Sequence, residues 1–342
     1  MNKSINLGFG EIHNLLFKSY LPNIINAAVE VSVFDTLLDN AMSFAELSQK
    51  INTDDRITES LLEVLLSINL LYKHKDKYSL TVQSKVYLTQ SSNINQLKSI
   101  KKFVVNEGPF YKLTQVLQGD IPKFEQNMWS TEESIKDIEQ GSKTGAIQNV
   151  VNFVREIPEF KNARRMCDFA GNSGYYSFSL LNENKELYAS VYDLKEVCKI
   201  ALNIKNDEHD FNRISYHDLD LTKEEYWGNN YDLFFSSHYL YKYVETEELL
   251  TEILKKINRS MKIGGLFVSN HMSGDSNVES KTTISILELM TRAMGFFGHC
   301  IPKEIFKQAL SKAGFGKFHI KEPDFILDYP TLLLAAIKIE EA

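Results

Sequence analysis

The second half of the chain alternates short apolar runs with amphipathic stretches. After residue 164, five runs have the length and apolar character of buried strands: MCDFAG, ELYASVYD, RISYHDLD, YDLFFSSH and GLFVSNHM. Stretches with helical spacing of apolar residues lie between most of them. Strands and helices in this order form a doubly wound, mostly parallel sheet. We therefore predict an α/β Rossmann-like domain over residues 161–342.

The first half of the chain has a helical pattern. Apolar residues in the segment 10–40 recur at spacings of three and four, which predicts helix with a break or kink near Pro22. Ser43 and Glu46 have the spacing of a capping box at the start of a further helix. Another helix follows, and LLYKHKDKYSLT then has the pattern of a hairpin. Helix, helix and hairpin together outline a winged helix.

The winged-helix outline allows two interpretations. In a gene regulator the second helix of this module enters the major groove of DNA. Here that helix carries one basic residue, Arg56, against Asp54, Asp55, Glu59 and Glu63. Phosphate would repel such a helix, so we favour a packing or dimerisation module. We predict a mainly α dimerisation domain over residues 1–100 and a helical connector and pocket cover over 101–160.

Composition changes this picture little. The 342 residues carry a net charge of -7, which argues against nucleic acid as a partner. No stretch approaches the ~18 consecutive apolar residues of a membrane span. The three cysteines are odd in number and far apart, and the first residues lack a long apolar segment. These features predict a reduced, cytoplasmic protein with no membrane partner.

A loop of small residues follows the first predicted strand of the α/β domain. Asp168 closes the strand, Gly171 and Gly174 supply the turn, and Ser173 can hydrogen-bond a polar ligand. Glycine lets the backbone approach a ligand, and the helix that follows offers free N–H groups. Such a loop also serves ordinary turns, so on its own it does not decide between a binding site and a plain connection.

The ends of the neighbouring strands strengthen the case for a binding site. Asp193 lies 22 residues beyond Gly171, at the end of the next strand, where a carboxylate can accept two ribose hydroxyls. Asp218 and Ser237 occupy the ends of two later strands. In open parallel sheets, ligands bind at these carboxyl ends. A nicotinamide dinucleotide would use a similar loop and a similar acid, so the spacing alone leaves that cofactor open.

Several motifs in this order resemble one family, the two-domain class I S-adenosylmethionine-dependent small-molecule O-methyltransferases. These include plant caffeate-type, acetylserotonin and bacterial natural-product enzymes. The glycine motif of that family, D-x-G-G-G-x-G, stands here as D-F-A-G-N-S-G; its F-D-L-P-x-V stands as Y-D-L-K-E-V; and its G-D-x-F stands as H-D-L-D. Ala170 and Asn172 replace two glycines, which is tolerable if neither position needs a positive φ. The resemblance covers nearly the whole chain.

The resemblance implies a cofactor, its contacts and a partner. The cofactor would be S-adenosylmethionine, leaving as S-adenosylhomocysteine. Its expected contacts are Asp168, Gly171, Ser173 and Gly174 along the methionine part, Asp193 and Leu194 at the ribose, Asp218 and Leu219 at the adenine, and Ser237 at a polar edge. The chain would form a homodimer through its N-terminal domain. Phe9, Phe17 and Tyr20 would reach across that dimer to the pocket of the partner copy.

The catalytic positions depart from the family pattern. The family motif S-H-x-L-H-D-W reads S-H-Y-L-Y-K-Y here, so Tyr241 stands where the family has its histidine base. The two acids that orient this histidine in the family fall at Asn270 and near Cys300. A neutral tyrosine is a poor base, because its ordinary pKa is about 10. Three hypotheses remain: the acceptor needs no base, His271 or His299 acts instead, or the protein binds the cofactor without transferring a methyl group.

The acceptor pocket is expected to draw on the segment ISILELMTRAMGFFGH. Its apolar stripe, with Leu287, Met290, Met294, Phe296 and Phe297, is typical either of core or of a pocket for a flat aromatic or quinone-like acceptor. We also place three polar residues in the substrate site, His238, Asn270 and Cys300, although a histidine at a strand end is often structural. No pair of residues has metal-ligand spacing, so we predict no metal.

The sequence therefore predicts a dimeric methyltransferase acting on a small, largely apolar acceptor, with oxygen as the methylated atom. Three alternatives stay open: transfer to carbon, nitrogen or sulfur; a cofactor-binding scaffold without catalysis; and a winged-helix regulator with a sensory domain.

Overall fold

The computed structural model describes residues 9–104, 110, 112–120, 129–220, 227–274, 281–323 and 331–342. The chain divides into two compact units, Met1–Gly108 and Pro109–Ala342.

The N-terminal unit is mainly helical. Its helices are α1 (Gly10–Lys18), α2 (Leu21–Glu30), α3 (Val33–Thr36), α4 (Phe44–Ile51), α5 (Asp55–Ser67), α6 (Val82–Tyr87) and α7 (Leu97–Val104). Its strands are β1 (Met42–Ser43), β2 (Leu71–His74) and β3 (Lys77–Leu80), which pair antiparallel in the order β1-β3-β2. Phe34, Leu47, Leu62 and Tyr78 are buried together in its core.

Local signals explain where these elements begin. The Ser43 hydroxyl accepts the Glu46 backbone N–H, and the Glu46 carboxylate accepts the Ser43 N–H at 2.7 Å, so the predicted capping box starts α4. Asp54 caps α5, because its carboxylate accepts the backbone N–H groups of Arg56 and Ile57. The helical segment around Pro22 is interrupted: α1 ends at Lys18, and the proline lies in the first turn of α2, where its missing N–H costs nothing.

The C-terminal unit is an α/β domain. Its helices are α8 (Leu113–Leu117), α9 (Glu132–Ser142), α10 (Ala146–Val154), α11 (Pro158–Asn162), α12 (Tyr175–Glu183), α13 (Lys195–Lys205), α14 (Glu247–Ser260), α15 (Lys281–Ala293) and α16 (Lys303–Lys312). Its strands are β4 (Arg165–Phe169), β5 (Tyr188–Asp193), β6 (Ile214–Asp218), β7 (Tyr231–Ser237), β8 (Met261–Met272), β9 (Phe315–Lys321) and β10 (Thr331–Lys338).

These strands form one sheet in the order β6-β5-β4-β7-β8-β10-β9. The pairs from β6 to β8 are parallel, and β10 runs antiparallel to both of its neighbours. Apolar side chains of α14 and α16 cover one face of the sheet, and those of α10, α11 and α12 cover the other. The predicted doubly wound, Rossmann-like architecture with a winged-helix-like domain before it is confirmed. The carboxyl ends of β4 to β8 therefore lie along one edge.

Strand β10 has no counterpart in the strand pattern predicted above. Its eight residues are all buried between β8 and β9. The run TLLLAAIK is apolar at almost every position, and such a run fits a buried helix as well as a central strand. Only its pairing with two neighbours decides between them.

No helix in the described part of the chain has the length and apolar character needed to cross a membrane.

Candidate functional site

The glycine loop joins the end of β4 to α12 and lies against the end of β5. The Gly171 N–H donates to the Tyr192 carbonyl at 3.3 Å, and the Asn172 N–H donates to the Asp193 carboxylate at 2.8 Å. The Gly174 N–H closes a turn onto the Gly171 carbonyl at 2.8 Å. The loop is therefore fixed to the neighbouring strand by its backbone, at the edge where parallel sheets bind ligands.

The conformation of this loop corrects one expectation. Ala170 and Asn172 both have a positive φ, 57° and 54°, so these two replacements of the family's glycines do occupy left-handed backbone. This conformation costs a residue with a Cβ roughly 1–2 kcal/mol. Gly174 shares it, at 74°, whereas Gly171 does not. Gly171 is needed for space, because a Cβ there would lie 2.5 Å from the Asp168 carboxyl carbon.

Asp168 lies beneath the loop and is almost fully buried. Burial raises the pKa of its carboxyl to about 7, and the nearby Asp193 charge adds to this effect. The Ser177 hydroxyl donates to it at 2.6 Å and opposes the rise. Asp168 thus supports the loop from within the domain.

Asp193 closes β5 and holds two backbone groups. One carboxylate oxygen accepts the Asn172 N–H, and the other accepts the N–H of Leu194, the residue before α13, at 2.8 Å. Burial raises the pKa of this carboxyl, and the two N–H groups and the Lys242 ammonium counteract it. Each oxygen has a further lone pair, so the group can still accept hydroxyls.

Ser173 has a partner inside the protein. Its side chain is buried, and its hydroxyl donates to the Glu139 carboxylate of α9 at 2.8 Å. Lys205, the last residue of α13, is also buried, and its ammonium lies 2.8 Å from the same carboxylate. Burial would raise the pKa of Glu139, but Lys205, Ser173 and Lys143 outweigh it and hold that pKa below its ordinary value. The expected contact of Ser173 with a ligand stays a prediction.

The other expected cofactor residues lie along the same edge. The Leu219 N–H donates to the Asp193 carbonyl at 2.9 Å, which joins β6 to β5, and Asp218 is exposed beside it. Ser237 ends β7, and its hydroxyl accepts the side-chain amide of Asn270 at 3.0 Å. Asn270 is fully buried and also donates to the Tyr176 hydroxyl at 3.3 Å. The strand ends are thus linked by hydrogen bonds from β6 to β8.

Tyr241 is buried and stacks on a histidine. Its ring lies parallel to that of His299, with centroids 4.7 Å apart, and the edge of Phe296 meets it at 5.3 Å. Burial raises the pKa of Tyr241 to about 12, so it remains protonated at neutral pH. The Thr291 hydroxyl lies 2.9 Å from Nδ1 of His299. Burial lowers the pKa of His299 although Glu288 counteracts it, so that imidazole is neutral and can accept a proton.

A carboxylate that the sequence did not point to holds the turn around His299. One oxygen of Glu288 accepts the backbone N–H of His299 at 2.7 Å and that of Cys300 at 3.2 Å. The other oxygen pairs with Arg292. An acid from α15 therefore lies beside Cys300, and it contacts backbone instead of an imidazole.

The other two histidines have different surroundings. His271 is buried on the sheet face that α16 covers; its Nδ1 lies 3.0 Å from the Ser269 hydroxyl, and its ring meets the edge of Phe306 at 4.7 Å. Burial and nearby His238 lower its pKa to about 3. The His238 ring lies 6.1 Å from that of His299, and burial with the His299 charge lowers its pKa to about 3 as well. Both imidazoles are neutral at physiological pH.

The predicted acceptor stripe is only partly turned inward. Met290 and Met294 are half-buried, whereas the Phe297 side chain is 60% exposed; Phe296 is the phenylalanine that contacts Tyr241. Within the described ranges, no three His, Cys, Asp or Glu side chains are arranged to hold a metal ion.

Residues missed by the sequence analysis share one property. Glu139, Lys205, Glu288 and Thr291 act through partners on other elements, and Glu139 is 34 positions from Ser173. No short motif encodes such a contact. In the sequence, Glu139 and Glu288 are only acidic residues on amphipathic helices. Such residues are common on protein surfaces, so they do not point to a functional site.

Comparison with known proteins bears first on the N-terminal unit. Residues 13–90 match the family model described as the O-methyltransferase dimerisation domain. The match covers most of the N-terminal unit, and it supports homodimer formation. The chain is also 22% identical over 295 residues to an uncharacterized protein of Methanocaldococcus jannaschii, covering 82% of this chain and 73% of the relative.

Solved structures extend the likeness beyond the dimerisation domain. A putative O-methyltransferase from Nostoc punctiforme superposes with a TM-score of 0.76 at 20% identity, over 97% of this chain and all of the other. Human N-acetylserotonin methyltransferase, solved with S-adenosylmethionine, superposes with a TM-score of 0.72 at 18% identity, over 99% of this chain and all of the human one. The predicted resemblance to two-domain O-methyltransferases is thus confirmed for the dimerisation domain and for the fold.

The left-handed backbone at position 170 gives a testable consequence. Ala170→Gly removes the steric cost of a positive φ, so we expect the free energy of unfolding to rise by about 1 kcal/mol. Ala201→Gly, inside helix α13, is the matched control and should lower it by about 1 kcal/mol or more. Urea unfolding of the three proteins measures both effects. Equal losses in the two variants would contradict a left-handed residue 170.

Proposed function

We propose that this protein transfers a methyl group from S-adenosylmethionine to an oxygen of a small, largely apolar acceptor. One observation carries the proposal: Asp193, at the end of β5, meets the backbone of the glycine loop at the ligand-binding edge of the sheet. The neighbouring structures support the choice of cofactor. The human relative was solved with S-adenosylmethionine, and another neighbour, PigF, with S-adenosylhomocysteine.

The loop fits the methionine part of such a cofactor. Gly171 lets the loop pack closely on Asp168, because a Cβ there would meet that carboxyl, and Gly174 precedes the free N–H groups of α12. Asp193 would accept the ribose hydroxyls, with Leu194 and Leu219 beside the sugar and the adenine. A nicotinamide dinucleotide would suit the loop and the acid as well, and the whole-chain likeness to methyltransferases favours the sulfonium nucleoside.

The chain has little chemistry to supply beyond positioning. When bound, S-adenosylmethionine would supply a methyl carbon, activated by its sulfonium, for transfer to the acceptor oxygen. The protein must align the two atoms, exclude water and receive the hydroxyl proton. Tyr241, with its pKa raised to about 12, is unsuited to receive that proton.

We assign the proton to His299. Its ring stacks on Tyr241, so an imidazole from a different segment lies beside the position where the family motif has its histidine base. If Nδ1 donates to the Thr291 hydroxyl, Nε2 is left as the acceptor. His271 is a poorer candidate, because it is buried between Ser269 and Phe306. An acceptor that is already ionised, such as an acidic phenol or an enol, would bypass this step.

A second copy of this chain is the proposed partner. Helix α1 and its flanks in the dimerisation domain expose six large apolar side chains, and α1 buries none of its residues. They are Phe9, Ile12, Leu15, Leu16, Phe17 and Tyr20. A monomer rarely leaves so large an apolar surface open to water.

Removing the proposed ribose acid should weaken cofactor binding. Asp193→Ala loses two charge-assisted hydrogen bonds, so we expect the binding free energy of S-adenosylmethionine to fall by about 1–3 kcal/mol. Titration calorimetry measures the Kd, and Asp207→Ala, an exposed acid outside the site, is the control. An unchanged Kd in the first variant would mean that Asp193 does not hold the ribose.

The two stacked rings should differ in their effect on turnover. For a phenolic acceptor we expect His299→Ala to lower kcat about a hundredfold or more, and Tyr241→Phe to lower it by less than about tenfold. Because burial lowers the pKa of His299, wild-type kcat should decline only below the ordinary histidine pKa of about 6.5, and His299→Ala should lack this decline. Exposed His209 provides the control His209→Ala.

A larger loss of kcat in Tyr241→Phe than in His299→Ala would show that Tyr241, and not His299, takes part in the proton transfer. Tight binding without released S-adenosylhomocysteine on a panel of phenols and thiols would favour a cofactor-binding scaffold instead.

An acidic residue introduced on the exposed apolar face of α1 should dissociate the proposed dimer. We expect Leu15→Asp to shift the protein from dimer to monomer in light scattering, since the aspartate would be buried without a partner in the interface. Val82→Asp, another exposed apolar position of the dimerisation domain, is the control. A dimer that survives the Leu15 change would contradict an α1 interface.

A further inference from the structure

We propose that Glu139 is a positioning residue for the cofactor: from helix α9 it holds the glycine loop through the Ser173 hydroxyl, in the conformation that binds the methionine part. The inference rests on the function proposed above and adds to it a helix that precedes the first strand of the sheet.

The contact between Glu139 and Ser173 is part of a buried cluster of paired groups and is not an ion pair on the surface. The Ser173 hydroxyl and the Lys205 ammonium lie 2.8 Å from the same carboxylate oxygen of Glu139, and Lys143 lies 3.2 Å from the other oxygen. The Ser173 and Lys205 side chains are almost fully buried. A buried charge is costly unless it is paired and hydrogen-bonded, so an arrangement in which every partner is supplied constrains the position of each.

Aromatic contacts extend this arrangement to the helix after the loop. The ring of Tyr175, the first residue of α12, lies 4.8 Å from the Lys143 ammonium and 5.0 Å from that of Lys205. A cation near an aromatic ring is attracted to its π system. The two ammonium groups that pair with Glu139 therefore also fix the first turn of α12, whose N–H groups face the ligand edge.

The loop needs such support because of its residues. Ala170 and Asn172 hold left-handed backbone without being glycine, and strained residues persist only where the surroundings determine their conformation. The backbone of residue 173 is held on both sides: its N–H donates to the Asn172 side chain at 2.7 Å, and its carbonyl accepts the Tyr216 hydroxyl at 2.7 Å. Glu139 fixes the side chain, which completes the attachment of the loop.

The test separates positioning from simple stability. Ser173→Ala removes the link to the loop and leaves the Glu139–Lys205 pair intact, so this variant should fold. We expect its Kd for S-adenosylmethionine to rise about fivefold or more, and its KM for the cofactor to rise in parallel with kcat unchanged. Ser260→Ala is the matched control, because that hydroxyl is also buried and donates to the Ile257 carbonyl at 2.7 Å, in α14. Its Tm should fall with no change in Kd.

A double-mutant cycle tests whether Glu139 acts through Ser173. Glu139→Ala should raise the Kd, and adding Ser173→Ala to it should raise the Kd no further. If Glu139→Ala does not fold because Lys205 loses its partner, Glu139→Gln replaces it: the amide oxygen can still accept the serine hydroxyl, so its Kd should stay near the wild-type value, and Ser173→Ala should raise it.

The outcomes of these experiments decide between the two proposals. A wild-type Kd for Ser173→Ala, with a Tm loss like that of the control, would overturn the positioning role, and so would fully additive effects of the two alanine variants. If either of these results is found and Asp193→Ala still weakens S-adenosylmethionine binding, the positioning role of Glu139 is overturned but the proposed function stands. Absence of S-adenosylmethionine binding by the wild-type protein would overturn both.

Discussion

The attachment of the glycine loop to the end of β5 is the interaction on which the site depends. The Asn172 N–H and the Leu194 N–H share the Asp193 carboxylate, so one acidic group fixes a loop, a strand end and the start of α13. That carboxylate lies at the edge where ligands of parallel sheets bind, and each oxygen keeps a further lone pair. In the proposed function the same group shapes the site and accepts the sugar hydroxyls, while its two N–H partners and the Lys242 ammonium oppose the rise in pKa that burial causes.

The fold could be predicted from the sequence because its signals are local and agree with one another. Ser43 and Glu46 form the capping box that their spacing indicates, and the hairpin turns at the residues between His74 and Lys77. The five apolar runs of the second half became strands β4 to β8 in the expected parallel arrangement. Strand β10 was missed because a run that is apolar at almost every position has no periodicity to read, and its position depends on distant pairing partners.

The site was predictable only in part. Strand ends and a glycine loop locate a binding edge, because parallel topology brings them together whatever the side chains are. The sequence could not show that Ala170 and Asn172 adopt left-handed backbone. The carboxylates that hold this loop, those of Asp193 and Glu139, belong to other elements, so their contacts are not visible in the loop sequence. Likewise, the stacking of His299 on Tyr241 joins residues 58 positions apart. Contacts of this kind leave no spacing rule in a single sequence.

The buried histidine and tyrosine side chains on the proposed acceptor side of the site are uncharged at neutral pH. Burial keeps His238 and His271 uncharged and Tyr241 protonated, and the amide of Asn270 stands where the family has an acid. Such a site would suit a reaction driven by alignment with an activated methyl group, in which one imidazole receives the acceptor proton.

The most direct test of this account is a crystal structure of the protein grown with S-adenosylmethionine. The account predicts the ribose hydroxyls within hydrogen-bond distance of the Asp193 carboxylate, the methionine part along the glycine loop, and the methyl group directed toward the stacked rings of Tyr241 and His299. A nucleoside bound elsewhere, or a site that stays empty at saturating concentration, would contradict it.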